Sequence, residues 1–310
     1  MSEIQTAVIG AGHLGRFHAQ KYHLLANSTL TAVADKDFGK AQEVAAETSC
    51  TPVSDYQELL GQVDAVSIVV PTNLHFEVAQ RFLCNHTHVL VEKPITATID
   101  QAETLIDLAR QHGRVLQVGH LERFNPAIVA LEKELTEARF IESHRLAPYR
   151  PRGTEVNVIL DLMIHDIDII LDIVQSDVDT IDARGISVLS DDIDIANARI
   201  VFKNGCVANV TASRVSTTTD RKMRIFQNDA YLSVDFHNRE LAVYRKGQQE
   251  MYPGVPNIDV QRTCCEKFDA LLTEIDSFLA CIANGSMPKV SGQDGKRALE
   301  TAISISEQLA

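Results

Sequence analysis

The chain has 310 residues, a formal net charge of −13 at neutral pH and a pI of about 5.3, and 45% of its residues are hydrophobic. This length suggests two domains, and the hydrophobic content is enough to give each domain a buried core. The acidic balance disfavours a nucleic-acid surface, which needs clustered Lys and Arg. The sequence also shows no apolar run long enough for a membrane span, and it opens without the pattern of a secretory signal.

The first third of the chain alternates short apolar runs with segments of helical length. The apolar runs cover residues 6–9, 30–34, 65–70, 88–91 and 115–118, and the helical segments cover residues 14–25, 38–47, 73–85 and 100–111. Continuous Val, Ile and Ala are typical of strands that are buried on both faces of a parallel sheet. Because strands and helices alternate with short turns, we predict a doubly wound α/β domain over residues 1–120.

Residues 121–310 show a different pattern. Helices are predicted over residues 124–137 and 157–174, strands follow one another between residues 178 and 246, and helices over residues 266–284 and 292–308 close the chain. Lys203-Asn204-Gly205 indicates a hairpin with a type I′ turn, because Asn-Gly tolerates positive φ. A run of antiparallel strands with helices on either side predicts an α+β second domain, and the last helix could pack back on the first domain.

A glycine-rich loop follows the first predicted strand and opens the first predicted helix. In a dinucleotide site of this kind the glycines allow a tight turn, the approach of a pyrophosphate and close packing of helix on strand, while helix N–H groups face the phosphates. Asp35 stands 20 residues after Gly15, at the end of the second strand, where such sites hold the adenosine ribose. The loop is G-x-G-x-x-G, and its residues are Gly10, Ala11, Gly12, His13, Leu14 and Gly15.

These residues predict a Rossmann site for NAD. The Asp35 carboxylate can accept hydrogen bonds from ribose hydroxyls and would repel a 2′-phosphate, which favours NAD over NADP. Lys36, next to it, weakens this preference because a cation could tolerate the phosphate. The alternative is a glycine-rich turn that binds no ligand.

Two further motifs lie where predicted strands end. Glu92-Lys93-Pro94 follows the run 88–91, and ligands of an open parallel sheet bind beyond that edge. The Lys93 amine can bond a substrate hydroxyl and favour the departing alkoxide, and the alternative is a solvated surface lysine. Asn73 could face the nicotinamide or equally be only a helix N-cap. The residues that could line the nicotinamide are Pro71, Thr72, Asn73 and His75.

The helix predicted over residues 157–174 carries a polar stripe. Asp161, His165, Asp168 and Asp172 are spaced by four, three and four residues, which places them on one face of an α-helix. His165 can exchange a proton while Asp161 fixes its tautomer and raises its basicity. Because no second His or Cys stands at ligand spacing, we expect no metal. The remaining alternative is an exposed acidic stripe with one incidental His.

Together these motifs resemble those of the Gfo/Idh/MocA oxidoreductases, and the resemblance covers essentially the whole chain. In chain order they are G-x-G-x-x-G, Pro-Thr-Asn-x-His, Glu-Lys-Pro, Gly-His-x-x-Arg-Phe-Asn-Pro and D-x-x-x-H-x-x-D. The resemblance implies a second domain with an open, mainly antiparallel sheet whose outer face forms oligomer contacts. It also implies that Glu92 and Lys93 contact the cofactor, that Lys93 binds the substrate hydroxyl, and that Asp161 and His165 complete the catalytic site.

Asn157 marks a departure from the family, because many members carry two or three glycines just before the Asp. The segments around Asn157 and Arg123 resemble those of one branch, the UDP-N-acetylglucosamine 3-dehydrogenases of lipid A biosynthesis, which implies oxidation of C3 of the sugar to the 3-keto sugar. A basic cluster is compatible with a bound diphosphate, and a solvated strand edge and loop is the alternative. Its residues are His144, Arg145, Arg150 and Arg152, with Arg123. The residues predicted to bind substrate are Lys93, Arg123, Arg150, Asn157 and His165.

Other functions remain open at this point. One is a dehydrogenase of a free sugar or inositol, and another is a catalytically silent NAD-binding regulator. Lys93, Asp161 and His165 together favour an enzyme, because a regulator has no reason to keep all three. We expect a cytoplasmic homodimer or homotetramer, assembled through the second domain, with a sugar or nucleotide-sugar substrate and neither nucleic acid nor membrane as partner. The six cysteines form no C-x-x-C pair, which indicates free thiols.

Overall fold

The structure is a computed structural model that describes residues 3–149, 157–264 and 268–309. The chain divides into two compact units. The first contains Met1–Leu121 and Asp269–Leu299, and the second contains Glu122–Phe268 and Glu300–Ala310. Within the described residues, no helix combines the length and the apolar character that crossing a bilayer requires.

A parallel sheet forms the centre of the first unit, and its strand order is β3-β2-β1-β4-β5-β6. The strands are β1 (Ile4–Ile9), β2 (Ser28–Ala34), β3 (Thr51–Val53), β4 (Ala65–Ile68), β5 (His88–Glu92) and β6 (Leu116–Gly119). The helices between them are α1 (His13–Leu24), α2 (Phe38–Thr48), α3 (Thr72–Cys84) and α4 (Ile99–Gln111), with a 3-10 turn at Tyr56–Leu59. The predicted doubly wound α/β fold is confirmed. Only the three-residue strand β3 was not predicted, because it is short and contains Pro52.

The strand order reverses at β1. Strands β2 and β3 lie on one side of β1, and β4, β5 and β6 lie on the other. At such a switch point the following loops diverge and leave a crevice beyond the carboxyl ends of the strands. The glycine loop follows β1, Pro71 follows β4 and Lys93 follows β5, so all three sequence motifs lie at this edge of the sheet.

A larger and mainly antiparallel sheet forms the second unit. Its order is β14-β13-β12-β11-β7-β10-β9-β8, and the pair β7–β10 is parallel. The strands are β7 (Phe140–Leu146), β8 (Val178–Ile186), β9 (Ile195–Phe202), β10 (Val207–Ser213), β11 (Asp220–Phe226), β12 (Ala230–Asp235), β13 (Glu240–Tyr252) and β14 (Val255–Cys264). The helices are α5 (Pro126–Leu131) and α6 (Ile164–Val174), preceded respectively by a 3-10 turn at Leu121–Phe124 and a π-helical turn at Ile159–Met163. The predicted α+β domain with a mainly antiparallel sheet is confirmed.

Three local predictions in this unit were wrong in detail. The helix predicted over residues 124–137 is shorter in the structure, where only α5 is helical. Asn125 caps its start, and the helix ends at Leu131. The helix predicted over residues 157–174 opens with the π-helical turn instead of a regular α-helix. The turn at residues 203–205 has positive φ at Gly205 but not at Asn204, whereas a type I′ turn needs it at both central positions.

Two closing helices, α7 (Ala270–Asn284) and α8 (Gly292–Glu307), follow the large sheet in the sequence. All of α7 and half of α8 belong to the first unit. Ile275, Phe278 and Leu279 are fully buried in one apolar cluster with Val8 and Tyr22. An amphipathic helix must bury its apolar face, so the first unit is completed by a second, distant stretch of chain.

Candidate active site

The glycine loop has the backbone geometry that a bound pyrophosphate requires. Gly10 has a φ of +104°, and a Cβ at this position would lie 2.5 Å from the carbonyl oxygen of Val69. A Cβ on Gly15 would overlap the carbonyl oxygen of Gly10, so the helix lies close against the strand. At Gly12, by contrast, a Cβ would meet no atom within 4 Å beyond its chain neighbours. Only the second glycine therefore faces open space, and this is the position at which a phosphate approaches the backbone.

Helix α1 begins directly after this opening. Gly12 is its N-cap residue, and no side chain of the described residues caps it. Its first turn contains no acidic residue, and His13 and Leu14 are exposed. The positive end of the helix dipole is therefore accessible to an anion, which is how helix N-termini bind dinucleotide phosphates.

Asp35 stabilises the loop from the end of β2. Its Oδ2 accepts the N–H of Ala11 at 2.7 Å, and its Oδ1 accepts the N–H of Asp37 at 2.9 Å. A carboxylate has about four acceptor sites, so the side chain keeps capacity for a ligand hydroxyl. A groove of about 480 Å³ in the first unit is lined by Gly10, Gly12, Asp35, Lys36 and Pro71, among others. The residues predicted to bind the adenosine end of NAD therefore share one groove of suitable chemistry.

The segment after β4 differs from prediction at Asn73. Pro71 is the N-cap residue of α3, and Thr72 is its first helical residue. The alternative that Asn73 is only a helix N-cap was therefore wrong. Its side chain is exposed at the second position of the helix, next to the partly exposed Thr72.

His75 occupies a buried position. It is 1% exposed, and its ring nitrogens lie 2.8 Å from the carbonyl oxygen of Pro94 and 2.9 Å from that of Val70. Burial lowers the pKa of His75, although both backbone contacts act in the opposite direction. The ring connects the segment after β4 with the segment after β5. A direct contact of His75 with the nicotinamide does not fit this arrangement, because both nitrogens face backbone carbonyls.

Glu92, the last residue of β5, is the end of a buried hydrogen-bonded chain. Its Oε1 lies 3.1 Å from Nε2 of His18, and Nδ1 of His18 lies 3.1 Å from Oγ of Ser67, which in turn lies 2.9 Å from the hydroxyl of Tyr22. Burial alone would raise the pKa of Glu92, but the hydrogen bond from His18 and the charges of His18 and Lys93 hold it below its usual value. Glu92 is thus an anion, and its Oε2 accepts the N–H of Lys93 at 3.3 Å. The backbone of Lys93, whose side chain is partly exposed, is thereby fixed.

A second buried carboxyl group acts on Glu92. Glu274 of α7 is fully buried, and among the described residues neither of its carboxyl oxygens has a hydrogen-bond partner. Burial and the negative charge of Glu92 raise the pKa of Glu274 well above its usual value, so its carboxyl group is neutral. The sequence analysis missed both His18 and Glu274. The only sequence signal was a polar residue on the apolar face of each helix.

In the second unit the predicted polar stripe separates into two parts. Asp161 lies in the π-helical turn and His165 is the second residue of α6, and both are partly exposed. Asp168 and Asp172 instead pair with the Arg123 guanidinium, at 3.4 Å and 2.6 Å. Within the described residues, no group of three or more His, Cys, Asp or Glu has an arrangement that could hold a metal ion. Asp161 and His165 therefore remain the candidates for proton transfer, and the other two carboxylates have a structural role.

Arg123 does not have the position predicted for a residue that binds a diphosphate. Its side chain is 4% exposed, and the two carboxylates of α6 match its charge. Arg145, from the same basic cluster, is also buried and pairs with Asp166 at 2.6 Å and Glu122 at 3.0 Å. Arg145 thus joins α6 to strand β7, and Arg123 joins α6 to the 3-10 turn, so the prediction that Arg123 contacts substrate is corrected. Arg150, the other predicted diphosphate contact, lies outside the described residues.

Asn157 has a capping role in the structure. Its Oδ1 accepts the N–H of Leu160 at 3.0 Å, and its Nδ2 donates to the Oγ of Ser306 at 3.3 Å. The residue that stands where many family members have glycine therefore fixes the start of the segment that carries Asp161 and His165.

Comparison with known proteins agrees with this geometry. Residues 4–120 match the family described as "Oxidoreductase family, NAD-binding Rossmann fold", and residues 132–233 match the "GFO/IDH/MocA C-terminal domain". The chain is 42% identical over 306 residues to the UDP-N-acetylglucosamine 3-dehydrogenase of Acidithiobacillus ferrooxidans, which covers 98% of this chain and 97% of that protein. A solved structure of that enzyme has a TM-score of 0.92 at 40% identity, covering 100% of this chain and 98% of the other.

More distant proteins share the fold. The scyllo-inositol 2-dehydrogenase (NAD(+)) of Bacillus subtilis is 24% identical over 97% of this chain and 92% of its own length. Levoglucosan dehydrogenase in complex with NADH has a TM-score of 0.89 at 18% identity, over 99% of this chain and 97% of the other. The two domain matches, the full-length relative at 42% identity and the intact glycine loop lead to one conclusion: the chain belongs to the Gfo/Idh/MocA family and is an NAD-binding oxidoreductase.

Proposed function

We propose that this protein oxidises the C3 hydroxyl of UDP-N-acetylglucosamine to the 3-keto sugar with NAD as the oxidant. The observation that carries the proposal is the 42% identity to a UDP-N-acetylglucosamine 3-dehydrogenase over 98% of the chain. The relatives that act on inositols are less similar, at 24–30% identity. A free inositol or sugar is therefore the weaker candidate substrate.

We assign the cofactor to the first unit. Gly10, Gly12, Gly15 and the first turn of α1 hold the pyrophosphate, with His13 and Leu14 beside it, and Asp35 holds the adenosine ribose. The nicotinamide half of the cofactor is contacted by Pro71, Thr72, Asn73 and the Glu92-Lys93 pair. His75 supports these segments through its contacts with the carbonyl oxygens of Pro94 and Val70. When bound, the nicotinamide supplies the electrophilic carbon that accepts the hydride of the alcohol.

Proton transfer is the task of the protein. Lys93 donates a hydrogen bond to the reacting hydroxyl and stabilises the alkoxide as it forms. His165 accepts the hydroxyl proton, and Asp161 orients the imidazole and supports its positive charge. Asn157 positions the segment that carries both residues, and Arg150 provides a charge for the diphosphate. Each of these roles is tested by the kinetics of the corresponding variant.

The wider setting of the reaction is also part of the proposal. A cytoplasmic location fits the use of NAD and the free cysteines Cys50, Cys84, Cys206, Cys264 and Cys281. Assembly into a homodimer or homotetramer would use the large sheet, on which Phe226, Tyr231 and Tyr244 form a stacked aromatic row with ring centroids 4.9 Å apart. Partly exposed aromatic rows of this kind are typical of interfaces.

The substrate assignment is tested by absorbance of reduced nicotinamide. UDP-N-acetylglucosamine should give clear reduction of NAD, whereas free N-acetylglucosamine, glucose and myo-inositol at equal concentration should give little. Because oxidation of a secondary alcohol is unfavourable at equilibrium, the assay includes glutamate and a 3-keto-sugar aminotransferase to remove the product. Arg150→Ala should raise KM for the UDP-sugar more than it lowers kcat, since a remote charge contributes mainly uniform binding. Efficient oxidation of a free sugar, unaffected by that change, would contradict the nucleotide-sugar assignment.

Lys93→Met tests the chemical role at nearly constant volume. We expect kcat to fall by roughly 10²–10⁴, the usual contribution of a proton-transfer or orienting group. The affinity for NAD, measured by isothermal titration calorimetry, should change much less. Lys133→Met is the control, because Lys133 is exposed and does not line the groove beside the glycine loop. Normal turnover of the Lys93 variant would show that this lysine is only a surface charge.

A further inference from the structure

A second cavity of the first unit lies at the opposite edge of the parallel sheet, where β5 and β6 begin. Its volume is about 610 Å³. It is bounded by the end of α4, the residues that lead into β6, the end of α7 and the start of α8. His88 is the first residue of β5 and Glu92 is the last, so the length of a strand separates this cavity from the glycine-loop edge.

Arg114 brings a positive charge to this cavity. Its Nη1 lies 3.1 Å from Nε2 of His88, and its Nε is buried without a hydrogen-bond partner among the described residues. Because Nε is buried, the cavity gives a ligand access to the guanidinium through Nη2, which has no acceptor among the described residues. A guanidinium N–H of this kind forms a charge-assisted hydrogen bond with a carboxylate or phosphate.

The neighbouring histidine does not neutralise this charge. Nδ1 of His88 accepts the N–H of Val115 at 2.9 Å, which places the proton of the neutral ring on Nε2, facing the guanidinium. Burial and the charge of Arg114 lower the pKa of His88 to about 4, while Asp64 acts weakly in the opposite direction. Two hydrogen-bond donors thus face each other beside the cavity. Arg114 is partly exposed, and none of the described carboxylates lies within 4 Å of its guanidinium, so no side chain of the described residues balances its charge.

The walls of the cavity set the other half of the specificity. Neither Asp nor Glu lines it, and the exposed Arg110 at its rim is already paired with Asp107 at 2.6 Å. The start of α8 at Gly292 adds no free positive end, because Asp294 in its first turn accepts the N–H and the hydroxyl of Ser291. The rest of the lining is largely apolar and includes Ile106, Leu116, Ile282, Met287 and Pro288. The cavity therefore offers one cationic end and one apolar body.

We propose that this cavity is a binding site for a small organic anion, in which a carboxylate or phosphate group pairs with Arg114 and an apolar group occupies the space between α4 and α7. The two anionic groups are alternatives of one chemistry, because both accept charge-assisted hydrogen bonds from a guanidinium. The site is independent of the reaction assigned to this protein, since none of its residues belongs to the catalytic or cofactor-binding set.

Isothermal titration calorimetry with matched probes tests the proposal. 4-Butylbenzoate and 4-butylphenyl phosphate carry the two anions on one apolar body, and 4-butylbenzamide is the neutral match. We expect one of the anions to bind with a Kd of about 0.1–1 mM, as a ligand of this size allows. The amide, and inorganic phosphate alone, should bind at least tenfold more weakly. Preference between the two anions identifies the natural headgroup.

Two arginine variants separate the site from general attraction by positive charge. Arg114→Gln should weaken binding of the anion by at least tenfold, because a charge-assisted hydrogen-bonded pair is lost. Arg110→Gln removes an equal charge from the rim and should change Kd by less than about threefold. Crystals of the unaltered protein soaked with 4-bromobenzoate provide a test that needs no variant, since the anomalous signal of bromine should lie between α4 and α7. The proposal would be overturned if neither anion bound at 10 mM, if the two variants lost equal affinity for the anion, or if bromine were located elsewhere.

Discussion

The Asp35 carboxylate holds the glycine loop by accepting the N–H of Ala11, and it also lines the groove beside that loop. Asp35→Ser should therefore have two effects, a narrower preference for NAD over NADP and a weaker affinity for both. Loss of the negative charge removes the repulsion of the 2′-phosphate, and loss of the acceptor loosens the loop. Asp35→Asn keeps an acceptor without the charge, so it should narrow the preference while losing less affinity. Dissociation constants of both cofactors for the three proteins measure this, and tighter NADP binding by the unaltered protein would contradict it.

Glu274 is expected to control how stability depends on pH. Burial and Glu92 raise the pKa of its carboxyl group in the folded state, so the folded protein retains a proton that the unfolded chain releases above its ordinary value of 4.5. The stabilisation is complete below that value and declines as pH rises towards the folded-state pKa. Glu274→Gln keeps the shape and cannot ionise, so most of the decline in unfolding free energy between pH 5 and pH 8 should disappear.

Denaturant unfolding at several pH values tests this expectation. Glu43→Gln is the control, because Glu43 is exposed on α2 and should leave the pH profile unchanged. Parallel pH profiles of the Glu274 variant and the unaltered protein would mean that Glu274 is ionised in the folded state.

At the residue scale, the sequence predicted the residues that line the groove better than the partners that hold the site. Gly10, Gly12 and Asp35 follow a spacing that the chemistry of a pyrophosphate imposes, and the structure places them in one groove. His18 and Glu274 belong to helices near opposite ends of the sequence, so no local pattern relates them. Arg123 was misassigned because a single sequence does not reveal whether a cation is exposed or paired with carboxylates of another element.

At the scale of elements, the connection between β8 and β9 depends on one buried carboxylate. Asp194 is fully buried, and its Oδ2 accepts the N–H groups of Val188, Leu189 and Ser190 at 2.6–2.9 Å. Its Oδ1 accepts the Nε of Arg214 on the neighbouring chain segment at 2.8 Å. These hydrogen bonds hold the pKa of Asp194 well below its usual value despite burial. The Asp194 carboxylate thus fixes the backbone of the loop between β8 and β9.

Asp194→Asn should lower the free energy of unfolding by about 3–5 kcal/mol, the usual cost of removing one partner of a buried ion pair. The loss arises because Arg214 stays buried without its carboxylate and because the amide is a weaker acceptor. Asp191→Asn, in the same loop but exposed, is the matched control and should change stability by less than about 0.5 kcal/mol. Denaturant unfolding of the three proteins at pH 7 measures the difference, and equal stabilities would show that the loop does not depend on the charge.

Strand β7 shows why some elements could not be predicted. Its inward positions include Ser143 and Arg145, which pair with Asp166 of α6 instead of packing as apolar residues. Alternation of apolar and polar residues, the usual signal of a half-buried strand, is therefore hidden in this segment. Strand β14 gave no signal for a different reason, because most of its residues are exposed. In the first unit each strand except β3 contains a mainly apolar run, and there the prediction found every strand but β3.

At the scale of the whole molecule, proton transfer is proposed to depend on Asp161 and His165, which both belong to the second unit. His165→Asn should remove most of the turnover, and Asp161→Asn should reduce it without loss of folding. The double variant should be little slower than the slower single variant, because residues that act together are not additive. Steady-state kinetics with the UDP-sugar between pH 6 and pH 9 should also show the rate falling in acid, where a protonated imidazole cannot accept a proton. Fully additive losses would mean that the two residues act independently.

The discontinuity of the first unit has a consequence for synthesis of the protein in the cell. Residues 122–268 are translated between the two stretches that build this unit. At about 5–20 residues per second, the 147 residues of this interval take on the order of ten seconds to leave the ribosome. During that time the surface that Ile275, Phe278 and Leu279 will cover is exposed on the nascent chain. The dinucleotide half begins first but has to wait for residues 269–299, so a ribosome that stalls after residue 268 releases a chain with an open apolar face.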